Sequence, residues 1–415
     1  MSQFEKILFG VVLFTSANLF GDSGFIPKIV AKPVALVGLI MVIYYFIHIK
    51  KQFPFKGVEK WAYTIYLVYA LWVAIWGITN AVGITFADFL LTNRIWWFFT
   101  PLFVLLPFCE KNLALIFKWA FIQTCIALLF IVINWDNIAD IFNASVPFSL
   151  MFPMMAFICY VFKLKRKYTF VILITYLISL YAPMIAGRRT AVLLLLFFPL
   201  AYMFAKYVRL KSLFYVIPLL MLYFVFGEIF FNWVLSYFPI MSERMLIDNR
   251  SSLNEVFLAQ FSTSELIFGR GLTGSYIATD ELDFENPIRT LIENAYLNVI
   301  LKGGLLLLVP YVFLLIKTIV RCFRDSKNIF GVYSIVYIAG ILLSMASLMP
   351  TLNLGTLILW FMIKGNCYKS FLHHPTFGNI ILIPSFRQYI NPKLIRQYWR
   401  IMQLKKMTSL TTDVQ

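Results

Sequence analysis

Charge is scarce in this chain, and histidine scarcer still. Only 13% of the 415 residues are charged, and only three are histidine: His48, His373 and His374. A soluble domain carries about 25% charged residues, so an ordinary water-facing surface is excluded. Cysteine is absent from residues 233–289. The five thiols are Cys109, Cys125, Cys159, Cys322 and Cys367, and no disulfide framework follows from them. Neither an internal repeat nor a Gly/Ser linker is present. No small-residue cleavage site follows the first apolar run, Ile7 to Phe20, whose basic flank is Lys6 alone. That run therefore reads as a retained helix rather than a signal peptide.

Apolar sequence fills the space. Hydrophobic residues make up 61% of the chain and the mean hydropathy is +0.81. About 20 apolar residues cross a bilayer as a helix. On that measure the chain is expected to be an all-α polytopic membrane protein of about twelve helices. They fall near 5–20, 31–49, 60–80, 90–108, 113–134, 147–163, 168–186, 189–207, 211–232, 290–317, 330–348 and 350–366. Nine spans thus occupy 1–232, a long loop fills 233–289, three spans occupy 290–366, and a basic tail runs over 367–415.

Lysine and arginine orient the spans, because they concentrate in cytoplasmic connections. With an inside N-terminus, the short cytoplasmic connections carry seventeen Lys and Arg, and the short outer ones carry five. Both termini are then cytoplasmic and the long loop is extracytoplasmic. The net charge of +17 records this topology and attraction to anionic lipid head groups; no nucleic-acid partner is needed. All three histidines fall on the cytoplasmic side. Any chemistry on the outer face must therefore proceed without histidine.

Three constellations on the outer face stand out. Gly187-Arg188-Arg189-Thr190 opens the eighth helix, where free N–H groups and the positive dipole end face outward. Two guanidinium forks there suit a phosphate or diphosphate; the alternative is a pair of arginines snorkelling to lipid phosphate. Within the loop stand Arg250-Ser251-Ser252-Leu253-Asn254-Glu255 and Phe268-Gly269-Arg270-Gly271-Leu272. The glycines flanking Arg270 would allow a tight turn with close backbone approach, although a lone loop arginine is more often solvated. The apolar spacing from Asn254 to Phe268 fits one amphipathic helix, lying on the membrane surface or packed on the bundle.

The third is Ile292-Glu293-Asn294-Ala295-Tyr296-Leu297-Asn298, running into Gly303-Gly304. Glu293 is either a charged helix cap or a general base at the outer mouth, its pKa raised by shielding from water. Asp22, in the first outer loop, is a second base candidate. Lys302, about two turns deeper, has three open roles: snorkelling, pairing with a carboxylate, or facing an aqueous cavity. The acidic run Asp280-Glu281-Leu282-Asp283-Phe284-Glu285 has the oxygens to hold Mg²⁺ or Ca²⁺, but reads better as a solvated loop. The tail segment Pro384–Met407 mixes Arg and Lys with Tyr, Trp, Ile and Leu, as an interfacial helix does.

Taken in order, a helix opening with Gly-Arg, a long outer loop with an arginine, a Phe-Gly-x-Gly turn and x-Asn-x-x-Leu-x-x-x-x-x-Gly-Gly follow one another between Gly187 and Leu308. This resembles the O-antigen polymerase and O-antigen ligase superfamily of bacterial surface-polysaccharide enzymes. The resemblance implies a GT-C-like glycosyltransferase in the bacterial inner membrane, acting at its outer face without cofactor or metal. Its donor would be an oligosaccharide on undecaprenyl diphosphate. Arg188, Arg189, Arg250 and Arg270 would be the diphosphate ligands, and Glu293, Arg250 and Asp22 the catalytic residues. Membrane lipids and a chain-length regulator would be partners. Ligases of the superfamily carry His-Asn where this chain has Glu293-Asn294, which favours a polymerase. The alternatives are a ligase that joins glycan to a lipid or protein, and a twelve-helix flippase or carrier.

Overall fold

The structure, a computed structural model, describes residues 1–22, 24, 26–79, 96–133, 170, 171, 173, 174, 176–178, 181, 250–277, 288–290, 292, 294–325, 329–345 and 352–368. These are mostly helical. Helix α1 covers Gln3–Asp22, α2 Lys28–His48, α3 Val58–Thr79 and α4 Glu110–Ile133, with a 3-10 segment at Trp97–Leu105. In the loop, α5 covers Arg250–Ala259 and α6 Thr263–Phe268. Two short strands, β1 (Tyr276–Ile277) and β2 (Ile288–Arg289), pair antiparallel with Tyr276 opposite Arg289. Helix α7 covers Ala295–Asp325, α8 Ile329–Ser344 and α9 Leu354–Gly365. Among the described residues, α2 and α7 are long and apolar enough to cross a membrane. The expected spans at 60–80, 113–134 and 330–348 reappear as α3, α4 and α8 with ends shifted by a few residues. Of the spans expected within 147–232, residues 170, 171, 173, 174, 176–178 and 181 of the one near 168–186 are described, all of them helical; the remainder, like all of the tail beyond Tyr368, lies outside the described residues.

Three expectations need correction. Where one span was expected at 90–108, the described part is a 3-10 helix. Pro101 has no N–H to give the carbonyl of Trp97; the Thr100 hydroxyl bonds that carbonyl instead, at 2.7 Å. Tyrosines of α3 then take two further carbonyls, Tyr66 bonding Phe98 and Tyr63 bonding Pro101. The helix expected over Asn254–Phe268 is two helices, because Ser262 stops one and caps the next. Its hydroxyl accepts from the Glu265 N–H while the Glu265 carboxylate accepts from the Ser262 N–H. The last span is only the 12 residues of α9, every one of them buried. A helix that is apolar on nearly all sides belongs in the core, and α9 packs there against the 3-10 segment, α8 and α1.

Small residues set the tightest contact. Ala31, Ala35, Gly38 and Val42 form the buried stripe of α2. A Cβ at Gly38 would stand 2.7 Å from the backbone nitrogen of Phe14, and one at Gly10 would stand 2.8 Å from the carbonyl of Gly38. Side chains larger than hydrogen would force α1 and α2 apart. The opposite face of α2 leaves Ile29, Val37, Ile40, Tyr44 and Ile47 exposed. The stripe of Trp61, Ile65, Val68, Trp72 and Ile75 on α3 is exposed as well. The middle is aromatic: Tyr311 of α7 lies 5.1 Å from Trp97, 5.8 Å from Trp360 and 5.9 Å from Tyr66, ring centre to ring centre.

Pairwise contacts fix helix directions. Helices α1 and α4 run parallel, through Glu5–Lys118 at 2.8 Å, Phe9–Trp119 and Phe20–Phe130. Helix α3 opposes α7, with Glu59 ion-paired to Arg321 at one end and the ring of Tyr66 tilted against that of Tyr311 further along. The start of α7 meets the end of α8, where the Ala295 N–H donates to the Met345 carbonyl at 2.8 Å. The 3-10 segment and α9 run parallel, through Thr100–Trp360 and Leu106–Lys364. One end of the bundle thus gathers Glu5, Lys118, Glu59, Arg321 and Lys364. The other carries Gly21, Gly77, Ala295 and the loop.

Lys364 is fully buried and donates to the carbonyls of Gln52 at 2.7 Å and Leu106 at 2.5 Å. It thereby ties α9 to the connection before α3 and to the end of the 3-10 segment. Replacement by methionine keeps the stem but strands the buried Leu106 carbonyl, whereas that of the exposed Gln52 can turn to water. A stranded buried acceptor costs about 1–3 kcal/mol, so Lys364→Met should melt measurably earlier than wild type in a detergent thermal-unfolding assay.

Candidate functional site

The loop meets the bundle at a break in α7. Gly304 has φ 63° and ψ −168° inside an otherwise helical run, angles that interrupt the ladder of backbone hydrogen bonds and that glycine alone adopts without strain. Just before the break, the carbonyl of Leu301 accepts from the Arg270 N–H at 2.7 Å, and that of Lys302 from the Gly271 N–H at 3.0 Å. The turn enters this closely because it has no side chain in the way. A Cβ at Gly269 would stand 2.6 Å from the backbone of Lys302 and Gly303. The reading of Gly269 and Gly271 as a close-approach turn is thus borne out, with φ of 72° and 81°.

Further bonds clamp the turn. Tyr69 of α3 donates to the Phe268 carbonyl at 2.5 Å. Lys302, 5% exposed, donates through Nζ to the Gly274 carbonyl at 2.7 Å. None of the three roles left open for Lys302 is its task here; it holds the loop down. Beneath the clamp lies a small core of Phe257, Tyr276, Ile292 and Leu301, which joins α5, β1 and the approach to α7.

Arg270 is engaged rather than solvated. Its Nε donates to Glu265 Oε1 at 2.9 Å, Nη1 to the Ser275 carbonyl at 2.8 Å, and Nη2 to the Gln260 carbonyl at 2.6 Å and to Glu265 Oε2 at 3.4 Å. The guanidinium also sits 4.3 Å over the ring of Phe261. Four of its five N–H donors are thus taken among the described residues. The Gln260 side chain exchanges two hydrogen bonds with the backbone of Ile277. Together these contacts fold α5, α6 and β1 onto one another.

The other expected site residues are placed less fully. Arg250 is the first residue of α5 and Asp22 the last of α1. Arg188, Arg189 and Glu293 lie outside the described residues, as do Asp280–Glu285. Glu293 is flanked by Ile292 in the loop core and by Asn294, and it is Asn294 that caps α7: its Oδ1 accepts from the N–H groups of Tyr296 at 3.0 Å and Leu297 at 3.3 Å. The side-chain cap of α7 is thus Asn294. Lys302 and Glu265 are the residues whose roles sequence reasoning missed. The Ser262-x-x-Glu265 spacing announced a capping box, and an isolated lysine beside Gly303-Gly304 marked the break.

Compared with protein-family models, with curated proteins and with solved structures, the chain matches none of them.

The hydrogen bond from Arg270, then that from the Ser262 N–H, hold the Glu265 carboxyl down at about 2, against an ordinary value of 4.5. A carboxyl depressed by folding stabilises the fold above its unfolded pKa and ceases to do so as pH falls through the folded one. Wild type should therefore melt above Glu265→Gln at pH 6 and keep that margin down to about pH 4.5. The margin should then shrink to nothing towards pH 2, as read by paired melting curves across that range.

Proposed function

We propose that this chain is a twelve-span protein of a bacterial inner membrane that polymerises undecaprenyl-diphosphate-linked oligosaccharide repeats at the outer face. The membrane part of this reading draws on the exposed apolar stripes of α2 and α3, and on Leu305, Val309, Ile316 and Val320 along α7. Lipid is the solvent in which such faces cost nothing. The helix directions also agree with the orientation set by lysine and arginine. Helices α1, α3 and α4 point one way, and α2, the 3-10 segment, α7 and α9 the other, as alternate crossings require. The residues of the cytoplasmic connections, Lys118, Arg321 and Gln52, gather at one end, and the loop sits at the other. Helix α4 ends and α5 begins at the same end, which an even number of intervening crossings demands; the sequence places four there.

The observation that carries the enzymatic part is the meeting of motifs. Phe268-Gly269-Arg270-Gly271 and Asn294 through Gly303-Gly304 are the two halves of the resemblance that the structure describes, and they lock together backbone to backbone. In this proposal the lock holds α5, with Arg250 at its head, and the approach to α7, with Glu293, against one another. Arg188, Arg189 and Arg250 bind the diphosphate and neutralise charge that develops on the leaving group. Glu293, or Asp22 in its place, accepts the proton of the attacking hydroxyl. Arg270 belongs to the scaffold of this site.

One observation favours a second reading. Carriers also build sites from broken helices, and α7 is broken. Here, however, the carbonyls at the break are occupied by loop N–H groups rather than open to an ion. A ligase shares all of this geometry and differs in its acceptor alone.

Deleting the protein separates the three. A polymerase leaves single repeats on the final acceptor, a ligase leaves long chains on the lipid carrier, and a flippase leaves repeats on the inner leaflet. Arg188→Ala and Arg250→Ala should each abolish the long-chain ladder on a polysaccharide gel while the protein still inserts; normal ladders from both would reject the diphosphate site. Glu293→Gln should slow transfer by about two orders of magnitude or more, the usual share of general acid–base catalysis. A wild-type rate in that variant moves the base to Asp22.

A further inference from the structure

We infer that Ile267–Leu272 is a re-entrant element, seated within the outer leaflet of the bilayer and not in the water beyond it. The inference rests on the membrane part of the reading above and on none of its chemistry.

Its height follows from the helices that hold it. Arg321 and Glu59 pair at the charged end of the bundle. At about 1.5 Å per residue, Gly304 stands about 25 Å above that pair, and Tyr69 about 15 Å above it. The hydrocarbon core is about 30 Å thick. The Ile267 carbonyl abuts Gly304, and the Phe268 carbonyl accepts from Tyr69. The turn is therefore wedged between α3 and α7 well below their outer ends. Higher up α3, Leu272 packs on Gly77 and Gly271 faces Trp76.

The surface at that height is apolar. Ile267 and Phe268 are 38% and 49% exposed. On the two helices that hold the turn, Trp72 and Trp76 of α3 and Leu305 of α7 are exposed as well, Trp76 facing Gly271 and Leu305 following Gly304, which the Ile267 carbonyl abuts. This continues the apolar stripe of α3, and tryptophan is the residue that favours the bilayer's edge. In water, such a patch would be an unpaired hydrophobic face on a loop; in the outer leaflet it is simply solvated by lipid.

The backbone bonding is what that position requires. Irregular backbone at membrane depth survives only where protein satisfies its polar groups. The N–H groups of Gly269, Arg270 and Gly271 go to Glu265, Leu301 and Lys302, and that of Gly274 goes to Gly271. The carbonyls of Phe268, Gly274 and Ser275 accept from Tyr69, Lys302 and Arg270. Two cationic side chains spent on backbone carbonyls are unexplained in a solvated loop, where water would serve.

The test uses the full chain in lipid nanodiscs, with the five native cysteines replaced and an environment-sensitive fluorophore attached at one new cysteine. Phe268→Cys and, independently, Ile267→Cys report on the turn. Val68→Cys, on the exposed face of α3, reports on the bilayer, and Glu255→Cys, exposed on α5, reports on water. Lipids spin-labelled on the acyl chain near the head group supply the quencher. The expected result is blue-shifted, quenched emission at positions 267, 268 and 68, with water-like, unquenched emission at 255. Water-like emission at 267 and 268 with a quenched probe at 68 overturns the re-entrant element and leaves the membrane reading standing. An unquenched probe at 68 as well overturns both.

Discussion

Two hydrogen bonds organise the loop end of the described bundle: those from the N–H groups of Arg270 and Gly271 to the carbonyls of Leu301 and Lys302. A helix interrupted in its interior leaves donors and acceptors unmatched, and in an apolar setting each costs a few kcal/mol. Here the interruption at Gly304 is matched by a turn from a segment some thirty residues earlier in the chain. The break makes room for the turn, and the turn satisfies the break. That mutual need explains why glycines stand on both sides of the contact, Gly269 and Gly271 in the loop and Gly303 and Gly304 in the helix.

The same contact shows how far sequence could be read. Long apolar runs announced α2, α3, α4, α7 and α8, because burial in lipid or core demands apolar surface along a whole helix. The turn at Gly269–Gly271 was readable from its composition. What the turn touches was not, since Gly303-Gly304 lies in a run that reads as continuous helix. The two-helix form of residues 250–268 was written in the Ser262–Glu265 capping box, yet apolar periodicity runs across it and masks the stop. The cap of α7 went to Asn294 because an amide oxygen one position further on reaches the N–H groups of Tyr296 and Leu297. The 3-10 segment depended on tyrosines of α3, a tertiary cause with no local signature.

Buried cations deepen the comparison. Lys302 and Arg270 drew functional readings from the sequence, as an isolated charge in an apolar chain invites, while Lys364 emerges only from the structure. The structure gives all three the same plain task. Each donates to backbone carbonyls at a point where regular structure stops: Gly274, Ser275 and Gln260 in the loop, and Gln52 and Leu106 at the other end of the bundle. A long cationic side chain can reach several acceptors that no backbone N–H can reach, and carbonyls stabilise the ammonium or guanidinium in return.

This pattern narrows the search for a binding site. Of the four arginines proposed for the diphosphate, Arg270 has a carboxylate, two carbonyls and an aromatic face already around it. Releasing it to a ligand would unfold the junction of α5, α6 and β1, and an anion would have to displace Glu265 from a pair that both partners favour. A ligand gains most from cations that the fold has left uncommitted. Arg250 is the first residue of α5, so in the proposed reading an anion bound there would meet the positive end of a helix. With Arg188 and Arg189 at the mouth of another helix by sequence, the diphosphate reading rests on these three.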